Sequence, residues 1–294
     1  MSNKAAVILV TGADGQLGSE LRDIAASFPQ YEFLFTNRRS LPIDDHEKVS
    51  SFFQEHSISC CINCAAYTAV DKAETEKEKA FAINAEAVAR LASTCNKHHC
   101  RLIHISTDYV FDGTGCIPYK ETDAVSPVNT YGASKLEGEQ LALKNDPAAI
   151  IIRSSWIYSS HGHNFVKTMI RLMKERPSIS VVNDQFGCPT YAADLAEAIM
   201  NIADQLTTGN KTTGKGQIFN YCNNGLISWY DFANAIKEII GSDCIINPIS
   251  TTQYPTPAKR PSYSALDTRK IRNSFNIRIP DWKDSLRRCI NNRQ

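Results

Sequence analysis

The chain has 294 residues, of which 43% are hydrophobic and 21% charged, and its formal net charge is +1. This composition is typical of a globular protein with one large core or two unequal lobes. A charge so close to zero gives no electrostatic reason to expect nucleic acid or an anionic membrane as a partner.

The longest apolar runs, 5–10 and 148–152, have the length of strands. They fall well short of the roughly 20 residues that cross a bilayer, so no membrane span is predicted. The N-terminus has no small-residue cleavage site of the kind that ends a signal peptide. We therefore expect the protein to be cytoplasmic.

Strand and helix signals alternate through the first half of the chain. Strands are predicted at 5–10, 31–36, 58–63, 101–106 and 149–153. Helices are predicted at about 15–27, from a cap at Asp45 to 56, at 72–98 and at 131–143. Strict alternation implies parallel strands joined by right-handed crossovers. The predicted fold is α/β, a Rossmann-type doubly wound parallel sheet with a smaller C-terminal substrate-binding lobe.

The second half is less regular. A helix is predicted at 192–203, a strand at 218–222 and a helix from a Ser228 cap to 240. Four prolines make 247–262 extended or looping. We expect a dinucleotide-binding domain at 1–158, to which the chain returns at about 190–235. The substrate-binding lobe would then comprise 159–190 and 236–294.

A glycine-rich turn follows the first predicted strand, with Gly12, Gly15 and Gly18 in a G-x-x-G-x-x-G spacing. Glycines allow the backbone to turn sharply and to approach a pyrophosphate closely, and the next helix offers free N–H donors to that anion. The alternative is a plain strand–helix turn. Its position favours a dinucleotide site that includes Gln16 and Leu17.

The end of the second strand meets the adenosine ribose in such sheets, and an acid there favours NAD. This chain has Asn37 and Arg38 instead, which favours NADPH, although surface arginines are common and NADH stays open. Asp44 and Asp45, after the next turn, are further predicted cofactor contacts. The third strand is followed by a stretch in which small residues predominate, and these let a cofactor lie against the strand ends. They are Ala65, Ala66, Tyr67 and Thr68.

The pattern that most strongly indicates chemistry is Tyr131 and Lys135, one turn apart on a predicted helix. A phenol has a pKa of about 10, and a neighbouring ammonium lowers it toward the working range of an acid–base catalyst. The fourth strand leads to Thr107, whose hydroxyl can hydrogen-bond a reacting carbonyl. Together these residues predict a nicotinamide-dependent oxidoreductase.

With these motifs the chain resembles the extended short-chain dehydrogenase/reductase superfamily and, within it, the dTDP-4-dehydrorhamnose reductases. The resemblance rests on 106–113 (STDYVFDG), 131–139 (YGASKLEGE) and 153–158 (RSSWIY), and 69–74 (AVDKAE) and 183–190 (NDQFGCPT) extend it. It runs from about 7 to 190 and continues more weakly through 260–270.

The resemblance implies reduction of the C4 ketone of a dTDP-linked deoxysugar by NADPH or NADH. Tyr131 would protonate the C4 oxygen, Lys135 would hold the ribose, and Thr107 would orient the carbonyl. It also implies that Asp108, Trp156 and Asn164 contact the nucleotide-sugar substrate. Arg260, in the proline-rich stretch, could reach its diphosphate.

Tyr109 separates this chain from the sugar-nucleotide dehydratases. These enzymes have Thr-Asp-Glu where this chain has Thr-Asp-Tyr at 107–109, and they use the second acid for elimination. Three alternatives stay open: a regulatory subunit that binds dinucleotide without turnover, a 4-epimerase with tightly bound NAD, and a reductase of another nucleotide sugar. A complete Thr107, Tyr131 and Lys135 set argues against the regulatory subunit.

No metal is predicted. The ten cysteines are scattered, and Cys61 and Cys64 have the spacing of a zinc half-site without a second pair. His161 and His163 lack nearby acids and are expected in a solvated loop. Some relatives bind magnesium between subunits through glutamates, but 291–294 contains no carboxylate. Neither that metal nor that dimer interface is carried over, and a homodimer stays open.

Overall fold

The computed structural model describes residues 5–209 and 217–292. Residues 293–294, the end of the carboxylate-free C-terminal segment, lie outside the described residues. Within the described ranges, no helix combines the length and apolar character that crossing a bilayer requires.

The strands are β1 Ala6–Thr11, β2 Tyr31–Phe35, β3 Ile58–Asn63, β4 Arg101–Thr107, β5 Ile150–Ser154, β6 Ile157–Tyr158, β7 Ser178–Val182, β8 Phe186–Gly187, β9 Thr190–Tyr191, β10 Gln217–Tyr221, β11 Ile227–Ser228 and β12 Ile245–Ile249. The helices are α1 Gln16–Ile24, α2 His46–Glu55, α3 Val70–Ala73, α4 Lys77–Phe81, α5 Ala87–Lys97, α6 Thr130–Asn145, α7 Phe165–Glu175, α8 Ala192–Thr207, α9 Trp229–Ile240, α10 Arg269–Phe275 and α11 Trp282–Asn291. Short 3₁₀ turns and one π-helical turn, Ala82–Glu86, complete the list.

Six strands form one parallel sheet in the order β10-β5-β4-β3-β1-β2. The chain leaves β1 toward β2 on one side and returns to β3 on the other. In doubly wound sheets ligands bind beyond the carboxyl ends of the strands at this reversal. The predicted α/β fold is confirmed, and the reversal lies at the glycine turn after β1.

Helices cover both faces of this sheet. Residues of α8 and α10 pack with β1, β3 and β5 in one core cluster, together with Leu17 and Leu21 of α1. On the opposite face, Val88, Leu91 and Cys95 of α5 pack with α2 and the other side of β1. Because both faces are buried, the strands read as continuous apolar runs.

A separate core cluster joins α7, β7, α9 and α11 outside the main sheet. The predicted return to the main domain extends to 235, but helix α9 belongs to this separate cluster. Helix α10 falls in the predicted substrate-binding lobe, but it packs on the main sheet. Part of the predicted loop is the strand β12, which pairs with β7 in a two-stranded sheet that tolerates Pro248. The division into two lobes stays a prediction.

The helix predicted over 72–98 is wrong as a single element. The structure divides it into α3, α4, the π-helical turn and α5. Asn84, in the π-helical turn, donates to the backbone oxygen of Tyr67 and to Ser134 Oγ, and its Oδ1 accepts from the Tyr67 N–H. These bonds tie the turn to the loop after β3 and to α6, so tertiary contacts determine the local geometry.

Gly138 of α6 lies directly against this π-helical turn, where a Cβ would stand 2.0 Å from the Asn84 carbonyl oxygen. Gly138→Ala should therefore destabilise the protein by about 1–3 kcal/mol, since the tightly packed turn must move. Helix propensity alone would give the opposite sign. Urea unfolding measures the difference. The exposed control Gln140→Ala should change stability by less than about 0.5 kcal/mol, and a stabilised Gly138→Ala would contradict the packing.

Candidate active site

A cleft of about 910 Å³ opens at the carboxyl edge of the sheet. Most of the predicted site residues line it: Gly12, Gly15, Gln16, Leu17, Gly18, Asn37, Arg38, Asp44, Ala65, Ala66, Tyr67, Thr68, Thr107, Asp108, Tyr131, Lys135 and Trp156. A cavity of about 710 Å³ at the opposite edge contains none of them. We call the larger one the cleft.

The glycine turn fits a dinucleotide phosphate. Gly12 has φ +65°, and a Cβ there would lie 2.6 Å from the Ala65 backbone nitrogen. Gly15 is the N-cap of α1, so no side chain satisfies the first N–H groups, and the first turn contains no acid. An anion is stabilised at such a helix end by the free N–H donors and the helix dipole.

The predicted adenosine end of the cleft lies beside β2. Asn37 donates from Nδ2 to Asp14 Oδ2 at 2.8 Å, and its Oδ1 accepts from the N–H groups of Arg39 and Ser40. Arg38 and Asp44 line the cleft and are both exposed. The turn therefore holds Asn37 fixed and leaves the guanidinium of Arg38 available to a phosphate.

Tyr131 and Lys135 lie on α6, whose first turn is firmly fixed. The N-cap Asn129 accepts from the Gly132 N–H at 2.8 Å, and Glu74 accepts from both the backbone N–H and the hydroxyl of Thr130. The rings of Tyr131 and Tyr109 meet edge to face at 5.8 Å. This support places the phenol in the cleft without depending on a ligand.

The predicted lowering of the Tyr131 pKa by Lys135 is wrong for this structure. Burial raises the pKa of Tyr131 to about 12, a nearby Thr107 hydroxyl acts in the opposite direction, and Asp108 raises it further. The Lys135 ammonium group is engaged elsewhere, since Nζ donates to the Ile105 oxygen at 2.7 Å and lies 3.2 Å from His104 Nε2.

Lys135 is itself strongly perturbed. Burial lowers its pKa to about 8, against the opposing effects of Glu139 and Cys64. His104, fully buried beside it, has a pKa well below its usual value, first because of burial and then because of Lys135. His104 was not among the site residues predicted from the sequence. Its only signal was one titratable side chain inside an otherwise apolar strand.

Thr107 and Asp108 end β4 and begin a 3₁₀ turn. Thr107 Oγ1 donates to Asp108 Oδ1 at 3.0 Å and accepts from the Tyr109 N–H. Asp108 is 3% exposed, and its Oδ2 has no hydrogen-bond partner among the described residues. Burial raises its pKa to about 7, although the neighbouring Ser264 and Thr107 hydroxyls oppose this.

Trp156 forms the far wall of the cleft together with Trp229. Its ring stacks on Trp229 with centroids 3.5 Å apart, and both rings line the cleft. Trp156 has φ +47°, an uncommon conformation for a non-glycine residue that clusters at functional sites. Trp229 starts α9 after the Ser228–Asp231 capping box, which confirms the predicted Ser228 cap.

Three predicted site residues lie outside the lining of the cleft. Asp45 caps α2 by accepting from the Lys48 N–H, so its carboxylate serves the helix. Asn164 caps α7 and donates to Gln16 Oε1 at 2.9 Å, which places it behind a residue that does line the cleft. Arg260 pairs with Asp71 at 2.8 Å and donates to the Ala258 oxygen.

The expectation that no acid lies near His161 is wrong. His161 Nε2 lies 2.7 Å from Asp23 Oδ2, and Glu20, held by Ser159, completes a group whose atoms lie within 4.8 Å of one another. These acids come from α1, distant in sequence. The expectation of no bound metal stays a prediction.

Comparisons with known proteins agree on one family. The family model of the RmlD substrate binding domain matches residues 6–294. The dTDP-4-dehydrorhamnose reductase of Aggregatibacter actinomycetemcomitans is 41% identical over 95% of this chain and 97% of its own. A solved dTDP-4-dehydrorhamnose reductase from Bacillus anthracis, in complex with NADP, has TM-score 0.92 at 36% identity and covers 98% of this chain and 100% of its own. One from Clostridium acetobutylicum has TM-score 0.91 at 38% identity and covers 97% of this chain and 98% of its own.

The pKa of Asp108 makes stability depend on pH. Because the pKa of Asp108 in the folded protein, about 7, exceeds the 3.8 of an unperturbed aspartate, the native state holds an extra proton between these two pH values. The free energy of unfolding should therefore fall as pH rises through this window. Asp108→Asn should remove this decrease in the free energy of unfolding. The free energy of unfolding of the variant minus that of the wild type should therefore increase by at most about 4 kcal/mol between pH 4 and 8.

Denaturant unfolding at a series of pH values measures this difference. Asp243→Asn, which alters an exposed carboxylate, is the control and should follow the wild-type curve. Parallel curves for Asp108→Asn and wild type would show that Asp108 is not protonated at neutral pH.

Proposed function

The chain belongs to the RmlD substrate binding domain family, and we propose that it reduces the C4 ketone of dTDP-4-dehydro-L-rhamnose to dTDP-L-rhamnose with NADPH or NADH. This is the last step of dTDP-rhamnose biosynthesis, and it makes the protein an NAD(P)-dependent oxidoreductase. The observation that carries the proposal is the meeting of Tyr131, Lys135 and Thr107 with the glycine turn in one cleft.

The residues at the glycine turn fit a nicotinamide coenzyme. Gly12 and Gly18 leave the space in which a Cβ would collide with backbone, and the N-terminus of α1 offers its N–H groups to the pyrophosphate. When bound, the coenzyme supplies the hydride. Arg38 would pair with the 2′-phosphate of NADPH, and Lys135 would hold the ribose.

Tyr131 supplies the proton. Its raised pKa keeps the phenol protonated at neutral pH, which is the form that can donate to the oxygen that develops at C4. Thr107 presents a hydroxyl on the same side, and by turning from Asp108 Oδ1 it can donate to that oxygen as it gains charge. Thr107 is 5% exposed, so its hydrogen bond to that oxygen acts in a medium of low dielectric constant.

Asp108 and the stacked pair Trp156–Trp229 are the proposed sugar contacts. The free Oδ2 of Asp108 can bind a sugar hydroxyl, and the aromatic pair gives a flat apolar wall to one face of the ring. Asn164 is proposed to act indirectly, by holding the cleft residue Gln16 through a hydrogen bond. Arg260 is also proposed to act indirectly, by fixing its own segment of the chain to Asp71. Arg260 is therefore not proposed as a direct diphosphate ligand in this arrangement.

Features of the cleft distinguish the reductase from the other functions. No glutamate lines the cleft among the described residues, so a dehydratase's second acid is missing. The complete Thr107, Tyr131 and Lys135 set disfavours a purely regulatory subunit. A 4-epimerase would retain its coenzyme through turnover, and absorbance at 340 nm of the purified protein would reveal retained NADH.

We further propose that the enzyme acts in the cytoplasm with a nucleotide sugar and no nucleic-acid or membrane partner. Cys60, Cys61 and Cys95 are buried free thiols, as expected in a reducing compartment. A homodimer stays a prediction.

The first test is loss of 340 nm absorbance when NADPH or NADH is mixed with dTDP-4-dehydro-L-rhamnose. Tyr131→Phe should reduce turnover by at least about a hundredfold, because the general acid is removed. Its NADPH affinity, measured by fluorescence, should change less than about threefold, since the phenyl ring keeps the packing. Near-normal turnover in this variant would exclude Tyr131 as the proton donor.

Arg38 offers a test of coenzyme choice. Arg38→Ala should weaken NADPH binding roughly tenfold, because a charge-assisted hydrogen bond to the 2′-phosphate is lost, and should leave NADH binding unchanged. Arg39→Ala is the matched control, since Arg39 is also exposed and does not line the cleft. Equal losses for NADPH and NADH would mean that Arg38 does not recognise the phosphate.

A further inference from the structure

A chain of buried polar side chains runs beneath the cleft from the glycine turn to the catalytic lysine. Thr11 Oγ1 donates to Asn63 Oδ1 at 2.6 Å, Asn63 Nδ2 lies 2.9 Å from His104 Nδ1, and His104 Nε2 lies 3.2 Å from Lys135 Nζ. None of the four is more than 2% exposed. Water cannot exchange into these bonds, so each donor must meet an acceptor.

The orientation of the Asn63 amide is fixed by its neighbours. Its Oδ1 accepts from the backbone N–H of Ala65 at 3.2 Å as well as from Thr11. A backbone N–H can only donate, so the atom that faces it must be the oxygen. The amide nitrogen therefore points at His104 and donates to Nδ1.

This orientation determines the tautomer of His104. Since Asn63 donates to Nδ1, that nitrogen must present its lone pair. The low pKa of His104 keeps the ring neutral, so its single proton is on Nε2. The Nε2–H group points at Lys135 Nζ, which already donates to the Ile105 oxygen. An ammonium has no lone pair with which to accept this bond, whereas an amine has one.

We infer that His104 is a positioning residue that holds Lys135 as an uncharged amine in the free enzyme above about pH 8, and that coenzyme binding adds one proton to Lys135 from solvent. Negative charge on the bound coenzyme favours the ammonium at Nζ. The inference deepens the proposed function and rests on it for the identity of the ligand. Above about pH 8, Lys135 would therefore acquire its charge when the coenzyme binds.

The titratable groups around Lys135 act against each other. Glu139 on the same helix and Cys64 after β3 both raise its pKa, whereas burial lowers it more strongly. Tyr131, one turn earlier on α6, stays a neutral phenol. His104, from β4, faces Asn63 on one side and Lys135 on the other. The hydrogen bond from Nε2 is thus the contact through which His104 opposes the ammonium.

Calorimetry of NADPH binding in buffers of different ionisation enthalpy tests this inference. At about pH 8.5 the wild type should take up more than about 0.5 proton per site. In His104→Gln, whose amide oxygen can accept from an ammonium, uptake should be smaller than in the wild type, and the burial of Lys135 accounts for the uptake that remains. His98→Gln, a histidine change at the opposite edge of the sheet, should behave as wild type. Equal uptake in His104→Gln and wild type, or none in wild type, would overturn the inference.

The ring nitrogens of the unmodified protein give an independent readout. In ¹⁵N-histidine-labelled enzyme without coenzyme, His104 should show a protonated Nε2 and an unprotonated Nδ1. A protonated Nδ1 would overturn the inference even if His104→Gln failed to fold. A protein that gave the expected ring signals but did not bind NADPH would instead contradict the proposed function.

Discussion

The pairing of β1, β3 and β4 is the constraint on which the site depends. Parallel pairing sets Thr11 opposite Asn63 and Asn63 opposite His104, so polar side chains from distant parts of the chain meet at one edge of an apolar sheet. The segments that follow these strands contribute the glycine turn, the small residues after Asn63 and the Thr107–Asp108 pair. Helix α6 then needs only to pack across β4 for Tyr131 to complete the cleft.

Burial is the dominant electrostatic influence in this cleft. It raises the pKa values of Tyr131 and Asp108 and lowers those of Lys135 and His104, in each case toward the neutral form. In such a site burial favours the neutral forms of the side chains when no ligand is bound. A charged form becomes favourable when a bound ligand supplies an opposite charge or a hydrogen-bond partner for it. The proposed chemistry, in which a neutral phenol gives up its proton to a developing alkoxide, suits such a site.

The sequence predicted the main sheet well because its strands are largely apolar, and 6–10 of β1 and 150–152 of β5 are continuous apolar runs. The predicted strand 58–63 matches β3 to the residue. Capping residues were harder to interpret. Asp45 and Asn164 are polar residues near the cleft whose side chains satisfy helix ends, and periodicity cannot separate that use from ligand binding. The π-helical turn at Asn84, the Trp156–Trp229 stack and the pairing of Arg260 with Asp71 depend on long-range packing, so no local pattern indicated them.

The central claim is that this cleft delivers a hydride to C4 of the sugar while Tyr131 supplies the proton. The most direct measurement uses NADPH in which both hydrogens at C4 of the nicotinamide are deuterium, with dTDP-4-dehydro-L-rhamnose as substrate and NMR of the product. The account predicts dTDP-L-rhamnose with deuterium at C4 of the sugar and nowhere else. Product without deuterium at C4, or no product from an enzyme that demonstrably binds both ligands, would contradict it.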